Sequence, residues 1–258
     1  MKYRYNYIVP YQDVDATRRL RLYTMENYLL NVAGKVADET GIGIPMLLPM
    51  NYTWIITHMN MEMLYLPKHG EEMVIETWIE RNAHMLSVRD FRIYIKESAS
   101  DNQALRLIGC AKTVWAVLNL TSREIVNIFD HKMFDGSVDG EVLNMARAPR
   151  LRPILLDDIE NEGGVAGEVL HEIQYSDVDY NRHCNSCKYL EWMVNAQQAY
   201  DNQKPFRLDI NYVKELYQGD KMWTRFLKTS DAVQYQQVDE NGTTCCSAKI
   251  SQIENVSC

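Results

Sequence analysis

The chain has 258 residues, 46% of them hydrophobic and 24% charged, with a net charge of −8. That length can bury one large core or two small ones. The acidic balance argues against general nucleic-acid binding, and no apolar run approaches the roughly 18 residues that would span a bilayer.

The N-terminus, "MKYRYNYIVPYQDVD", lacks the apolar segment and small-residue cleavage site of a secretion signal. A cytoplasmic protein is expected, with neither a membrane nor a nucleic acid as partner. Its six cysteines, Cys110, Cys184, Cys187, Cys245, Cys246 and Cys258, are then expected to be thiols. After "YQDVDATRRL" at 11–20, Leu22, Met25, Leu29, Val32 and Val36 recur at helical spacing, and Gly41 is a plausible stop. Strand-like segments follow near 52–66, 73–79, 85–95 and 105–118. Met59, Met61 and Met63 alternate, so one face of the first of these strands is rich in thioethers. They fit an adaptable apolar tunnel or an ordinary sheet core equally well.

A stretch at 131–166, with Pro149, Pro153, Gly163 and Gly164, reads as a connector crossing the surface. Beyond it "YSDVDYNRHC" at 175–184 repeats the frame Y-x-D-V-D-x-x-R of 11–20. A second helical stripe follows, through Tyr189, Trp192, Met193, Ala196 and Tyr200, with Asn185 a candidate N-cap. Strands are expected near 206–216, 221–228, 233–238 and 243–253, the last two joined by an Asn241-Gly242 hairpin. "MNMEMLYLPKHGEEM" at 59–73 also matches "LDINYVKELYQGDKM" at 208–222, in register on Gly70 and Gly219.

Two motifs recurring in the same order indicate a duplicated unit. Each copy is a strand, a one-sided helix and several consecutive strands with short turns, so the sheet is expected to be antiparallel. The fold class is α+β. A long helix packed on such a sheet is the hotdog arrangement, and two copies make a tandem, or double, hotdog. The division is 1–130, connector 131–166 and 167–258.

The stretch "DVDYNRHCNSCKYLEW" at 177–192 places His183, Cys184 and Cys187 in the order H-C-x-x-C. A redox dithiol expects a βαβ setting that the chain does not supply. A zinc corner needs a fourth ligand and a second pair, and the adjacent Cys245 and Cys246 are poorly spaced for it. The histidine alone is the remaining reading.

"DYNRHCNSCKYLEW" resembles the D-x-N-x-H-x-N-x-x-K-Y-x-x-W signature of fatty acyl-acyl-carrier-protein thioesterases, the plant plastid enzymes and their bacterial relatives. The matching positions are Asp179, Asn181, His183, Asn185, Lys188, Tyr189 and Trp192. "INYVKELYQGD" is similar to that family's E-Y-x-x-E-C-x-x-D segment through Tyr212 and Glu215, and "WIITHMNMEM" resembles its W-x-x-T-R-M stretch. Where the plant enzymes carry a cysteine after the glutamate, this chain has Leu216.

The resemblance implies thioester hydrolysis without a metal or organic cofactor, on an acyl chain carried by the pantetheine arm of acyl-carrier protein. It also assigns roles. His183 takes a proton from water near neutral pH. Glu215 fixes its tautomer or is itself the base. Asn181 orients the water or donates to the carbonyl oxygen, and Asp179 holds the Asn181 amide or simply forms the turn. Backbone N–H groups at the helix start near Asn185 stabilise the oxyanion. Direct attack by water and attack by a carboxylate through an anhydride both stay open.

The first-half counterparts of Asn181, His183 and Glu215 are Thr17, Arg19 and Leu66, none a base at neutral pH. Chemistry is therefore expected in the second half and acyl binding in the first. Arg18, Arg19 and Arg21, or Arg147, Arg150 and Arg152, could meet an acidic carrier or could be solvated charge. Acyl-coenzyme A hydrolysis, dehydration of hydroxyacyl thioesters and non-enzymatic acyl binding are the rival functions. A monomer or a homodimer is compatible with the sequence.

Overall fold

Apolar alternation in the strands and a 3.6-residue stripe in each helix demand one shared buried face, and both halves meet that demand in the same way. The computed structural model describes residues 1–97, 104–129, 138, 140–146, 151–155, 165–198 and 200–258. In the first half β1 (Tyr3–Ile8) leads into α1 (Leu22–Glu39), followed by the single-turn α2 (Ile44–Leu47). Then come β2 (Tyr52–Met63), β3 (Glu72–Ala83), β4 (Leu86–Lys96), β5 (Leu105–Asn119) and the short β6 (Ile125–Val126). The second half repeats the series with β7 (Val165–Glu172), α3 (Ser186–Ala196), β8 (Phe206–Tyr212), β9 (Lys221–Lys228), β10 (Ala232–Asp239) and β11 (Thr244–Gln252).

The strand order is β1-β3-β4-β5-β2-β8-β11-β10-β9-β7, every pair antiparallel, with β6 on β5. Each half has the same order, and the two are fused edge to edge where β2 pairs with β8 from His58↔Asn211 to Met63↔Phe206. The inner face carries Met59, Met61, Met63, Phe91, Leu208 and Ile210, packed against Leu22, Met25 and Leu29 of α1 and Leu190 and Met193 of α3. Burying such a side chain fully is worth about 1.5–3 kcal/mol relative to exposure.

Asn185 caps α3 as expected: its side-chain oxygen accepts the Cys187 N–H at 3.0 Å. The helix is one turn shorter than the apolar spacing suggests. It stops at Ala196, and Tyr200 packs instead beyond the helix, its ring 5.1 Å from that of Phe206. β8 likewise ends at Tyr212, earlier than the strand expected to 216, which leaves Glu215 in a turn.

The described parts of the connector lie against the outer face. The Trp78 indole N–H donates to the Glu141 carbonyl at 2.8 Å, and Leu143 and Met145 are buried with Trp78 and Cys110. Further on, the Ile154 N–H donates to Gln236 Oε1 at 2.7 Å. Here one expectation is corrected. Cys110 and Cys258 are not thiols but a disulfide, their Cα atoms 5.8 Å apart, because the C-terminal residues return to the outer face of β5.

The seam between halves has a charged counterpart on its outer face. Arg207 on β8 binds Glu62 on β2 at 2.8 Å and Asp209 at 2.8 Å, while Asn60 donates to Asp209 at 2.5 Å. The side chains are 13%, 3% and 5% exposed for Arg207, Glu62 and Asp209. Removing the guanidinium strands two buried carboxylates. Arg207→Ala is expected to lower stability by about 3–5 kcal/mol, measured by urea unfolding with the disulfide intact.

Candidate active site

The loop 175–185 is shaped by its aspartates. Asp177 Oδ2 accepts the Gln174 N–H at 2.9 Å, closing a 3-10 turn. Asp179 Oδ1 accepts the backbone N–H of Asn181 at 2.8 Å and of His183 at 3.3 Å. Arg182 takes a left-handed φ of 64° to complete the turn. The first half builds the same loop: Asp15 Oδ1 accepts from Thr17 at 2.7 Å and Arg19 at 3.3 Å, with Arg18 at φ 63°. Asp179 therefore holds the backbone of the loop, and the amide it holds at Asn181 is that of the main chain.

The loop is pinned to the other motif. Cys184 N–H donates to the Leu216 carbonyl at 2.7 Å, as Leu20 N–H does to Pro67 in the first half. After β8, the Val213 and Lys214 N–H groups both donate to the Cys245 carbonyl, at 2.8 and 3.0 Å. These ties bring Glu215 to His183, with Oε1 3.5 Å from Nδ1. With Nδ1 turned to the carboxylate, Nε2 is the atom left to take a proton. The first-half counterparts are also neighbours, but Arg19 Nη1 donates to the backbone carbonyl of Leu66 at 2.7 Å, a structural contact with no base in it.

Glu215 has a second partner, Arg123, which reaches across from the turn after β5 to bind Oε2. Burial and then the Arg123 guanidinium hold His183 below its ordinary 6.5, with Asp179 pulling the other way. The imidazole is thus neutral, and able to accept a proton, at pH 7. The edge of its ring meets Tyr217, centroids 5.0 Å apart.

His183, Glu215, Asn181, Asp179 and Asn185 line one cavity of about 1300 Å³. Its walls come from both halves: Asn27, Leu30 and Asn31 of α1, Ile42 to Pro45, Ile56 and Trp115, together with Tyr189 and Tyr212. At the start of α3 the N–H groups of Asn185, Cys187 and Lys188 are committed to Asp177, Asn185 and Asn185. Ser186, at the same helix start, also lines the cavity.

The Cys184 and Cys187 thiols are both free and buried, and burial pushes both up from the ordinary thiol range, which disfavours the thiolate.

Residues 1–133 match the family model described as the acyl-ACP thioesterase N-terminal domain, and residues 166–254 match the C-terminal domain of the same family. The chain belongs to the acyl-ACP thioesterase family. It is 21% identical over 228 residues to the chloroplastic palmitoyl-acyl carrier protein thioesterase of Arabidopsis thaliana, covering 83% of this chain and 52% of that protein. It is 22% identical over 211 residues to the chloroplastic oleoyl-acyl carrier protein thioesterase of Coriandrum sativum, covering 76% and 54%. The chain thus spans about half the length of these relatives.

Among solved structures, an acyl-ACP thioesterase from Bacteroides thetaiotaomicron superposes with a TM-score of 0.72 at 23% identity, covering 97% of each chain. The 12:0-ACP thioesterase of Umbellularia californica superposes with a TM-score of 0.75 at 15% identity, covering 98% of each. The fold of this acyl-ACP thioesterase family member is the double hotdog.

Other expected site residues fall elsewhere. Met59, Met61 and Met63 are wholly buried in the core between sheet and helices and are not among the cavity's walls. Arg21 donates to the Gln12 carbonyl at 2.7 Å, Arg18 is exposed, and neither lines the cavity. Arg152 is exposed on the connector, where its carbonyl accepts from Gln234 at 2.5 Å. Arg147 and Arg150 lie outside the described residues.

Arg123 went unrecognised in the sequence because it is 92 residues from Glu215 and belongs to the other half. Arg123→Gln is expected to raise the His183 titration midpoint by removing the cation that disfavours imidazolium. A downward or absent shift in the NMR titration of the ring would contradict that electrostatic arrangement.

Proposed function

We propose that the protein hydrolyses fatty acyl-acyl-carrier protein to free fatty acid and carrier thiol, within cytoplasmic fatty acid biosynthesis. The single observation that carries the reading is His183 set 3.5 Å from Glu215 on the wall of a large, mainly apolar-walled cavity. Family membership and the names of the plant relatives support acyl-carrier protein as the partner.

In this reading water attacks the thioester carbon while His183 Nε2 takes its proton. Glu215 stabilises the imidazolium that forms, Asn181 orients the water, and the Ser186 N–H faces the developing oxyanion. Collapse breaks the carbon–sulfur bond, and the imidazolium returns the proton to the pantetheine thiolate. Water, one proton transferred twice and one cleaved bond account for both products. The non-catalytic half supplies walls for the acyl chain through Leu30 of α1, Ile56 of β2 and Trp115 of β5.

The test is release of free thiol from an acyl-length series on purified acyl-carrier protein and on coenzyme A. Wild type is expected to favour the carrier substrates, and His183→Ala to lose about 10²–10⁴ in rate. Glu215→Gln is expected to lose kcat while keeping KM. Enoyl product without thiol release would replace the reading with a dehydratase, and tight acyl binding with no turnover would replace it with a binding module.

A further inference from the structure

Glu26 occupies a position in α1 that calls for an apolar side chain. It lies one turn beyond Leu22 and three residues before Leu29, within the buried stripe. It is 0% exposed. Its Oε1 accepts the Tyr212 hydroxyl, its Oε2 has no hydrogen-bond partner, and the Cys187 thiol is a neighbour of the carboxyl. Burying a carboxyl so incompletely paired opposes folding.

Its two contacts are on the segments that carry the reacting pair. Tyr212 is the last residue of β8, three before Glu215. Cys187 is in the first turn of α3, four after His183, and its N–H is already held by the Asn185 cap. A side chain from the non-catalytic half thereby touches both arms of the site, 186 residues away in sequence from Tyr212.

We propose that Glu26 is a positioning residue that fixes the separation of His183 and Glu215 from across the seam between the two halves. This rests on the hydrolase reading and deepens it: the first half, besides forming the acyl cavity, sets the geometry of the second half's base.

A pH signature accompanies the geometry. Burial pushes the Glu26 carboxyl up to about 7, with Tyr212 and Cys187 pulling it down. The titratable groups facing it are Tyr212 from β8, Cys187 from α3 and Cys246 from β11. The folded value lies above the ordinary carboxyl value of 4.5, so its protonated form is the one folding favours. Stability from this group is full below that ordinary value and is lost as pH rises through about 7. On this proposal the acidic limb of activity follows His183, and a decline above neutrality follows Glu26.

The experiment compares wild type, Glu26→Ala, Glu26→Gln and Tyr212→Phe. Glu26→Ala is expected to lower kcat about 10- to 100-fold with KM within about twofold, as for a misplaced catalytic group. Glu26→Gln keeps the size and an acceptor for Tyr212. It is expected to recover to within about threefold and to lose the decline above pH 7. Glu26→Ala combined with Tyr212→Phe should be no worse than Glu26→Ala alone.

Circular dichroism checks folding, and the Gln variant carries the test if the Ala variant does not fold. NMR titration of the His183 ring adds a readout independent of turnover, expected to move by about half a unit in Glu26→Ala and to return in Glu26→Gln. A wild type that cleaves no thioester sinks the hydrolase reading, while the ring titration still decides on Glu26. An unchanged kcat with an unmoved titration, a rise in KM alone, or a Gln variant that keeps the alkaline decline overturns the proposal.

Discussion

Everything in the molecule hangs on one edge-to-edge pairing, β2 with β8. Without it each half would present an open strand edge with unpaired N–H and C=O groups, and each helix would leave one flank uncovered. With it the inner face becomes continuous from β1 to β7, and α1 and α3 come to lie against each other. The same pairing sets the site. Arg123, in the turn after β5, stands two strands from β8, about 10 Å at the usual interstrand spacing, which a guanidinium and an intervening turn can span to reach Glu215. The seam is bonded by backbone along its middle, by methionine packing on the inside and by the Arg207 network on the outside.

Duplication supplies a comparison within one chain. The two loops preceding the helices share an aspartate that accepts two backbone N–H groups and an arginine in the left-handed region. Gly70 and Gly219 close the matching turns at φ 81° and 90°, a region that favours glycine. What differs is the side chain hung at three points. Arg19 is satisfied by a carbonyl and Leu66 is packed in the core, whereas His183 and Glu215 meet each other over a cavity. Scaffold and side chain are separable here: the backbone makes the juxtaposition in both halves, and only one half places a histidine beside a carboxylate.

That separation explains what could be read in advance. Helix stripes, strand alternation and the repeated turn residues are local signals, so the double hotdog was legible from residues close to one another or repeated in register, while the pairing of His183 with Glu215 came from the family resemblance. Features made by distant segments were not. Arg123 carries no local mark of its role, and Cys110 and Cys258 are 148 residues apart, brought together only by the return of the C-terminal residues over β5. The alternating methionines announced one common face without telling whether that face meets a cavity or a helix; it meets the helices. Tyr200 kept helical spacing after the helix had ended, because burial against Phe206 selects an aromatic there whatever the backbone does.

Glu26 shows the limit of pattern reading most sharply. In a stripe of Leu22, Met25, Leu29 and Val32 a single carboxyl reads as a lapse towards the polar face, yet helical arithmetic and the coordinates both place it inside. An apolar residue would remove the desolvation cost at no loss of packing. What it could not provide is an acceptor for the Tyr212 hydroxyl, which would then lose its partner in α1. The buried carboxyl and the partly buried hydroxyl therefore constrain one another, and β8 is anchored to α1 at the point where the chain leaves the sheet towards Glu215. A polar bond inside a hydrophobic seam has direction where methylene packing has little, and direction is what a base and its carboxylate require.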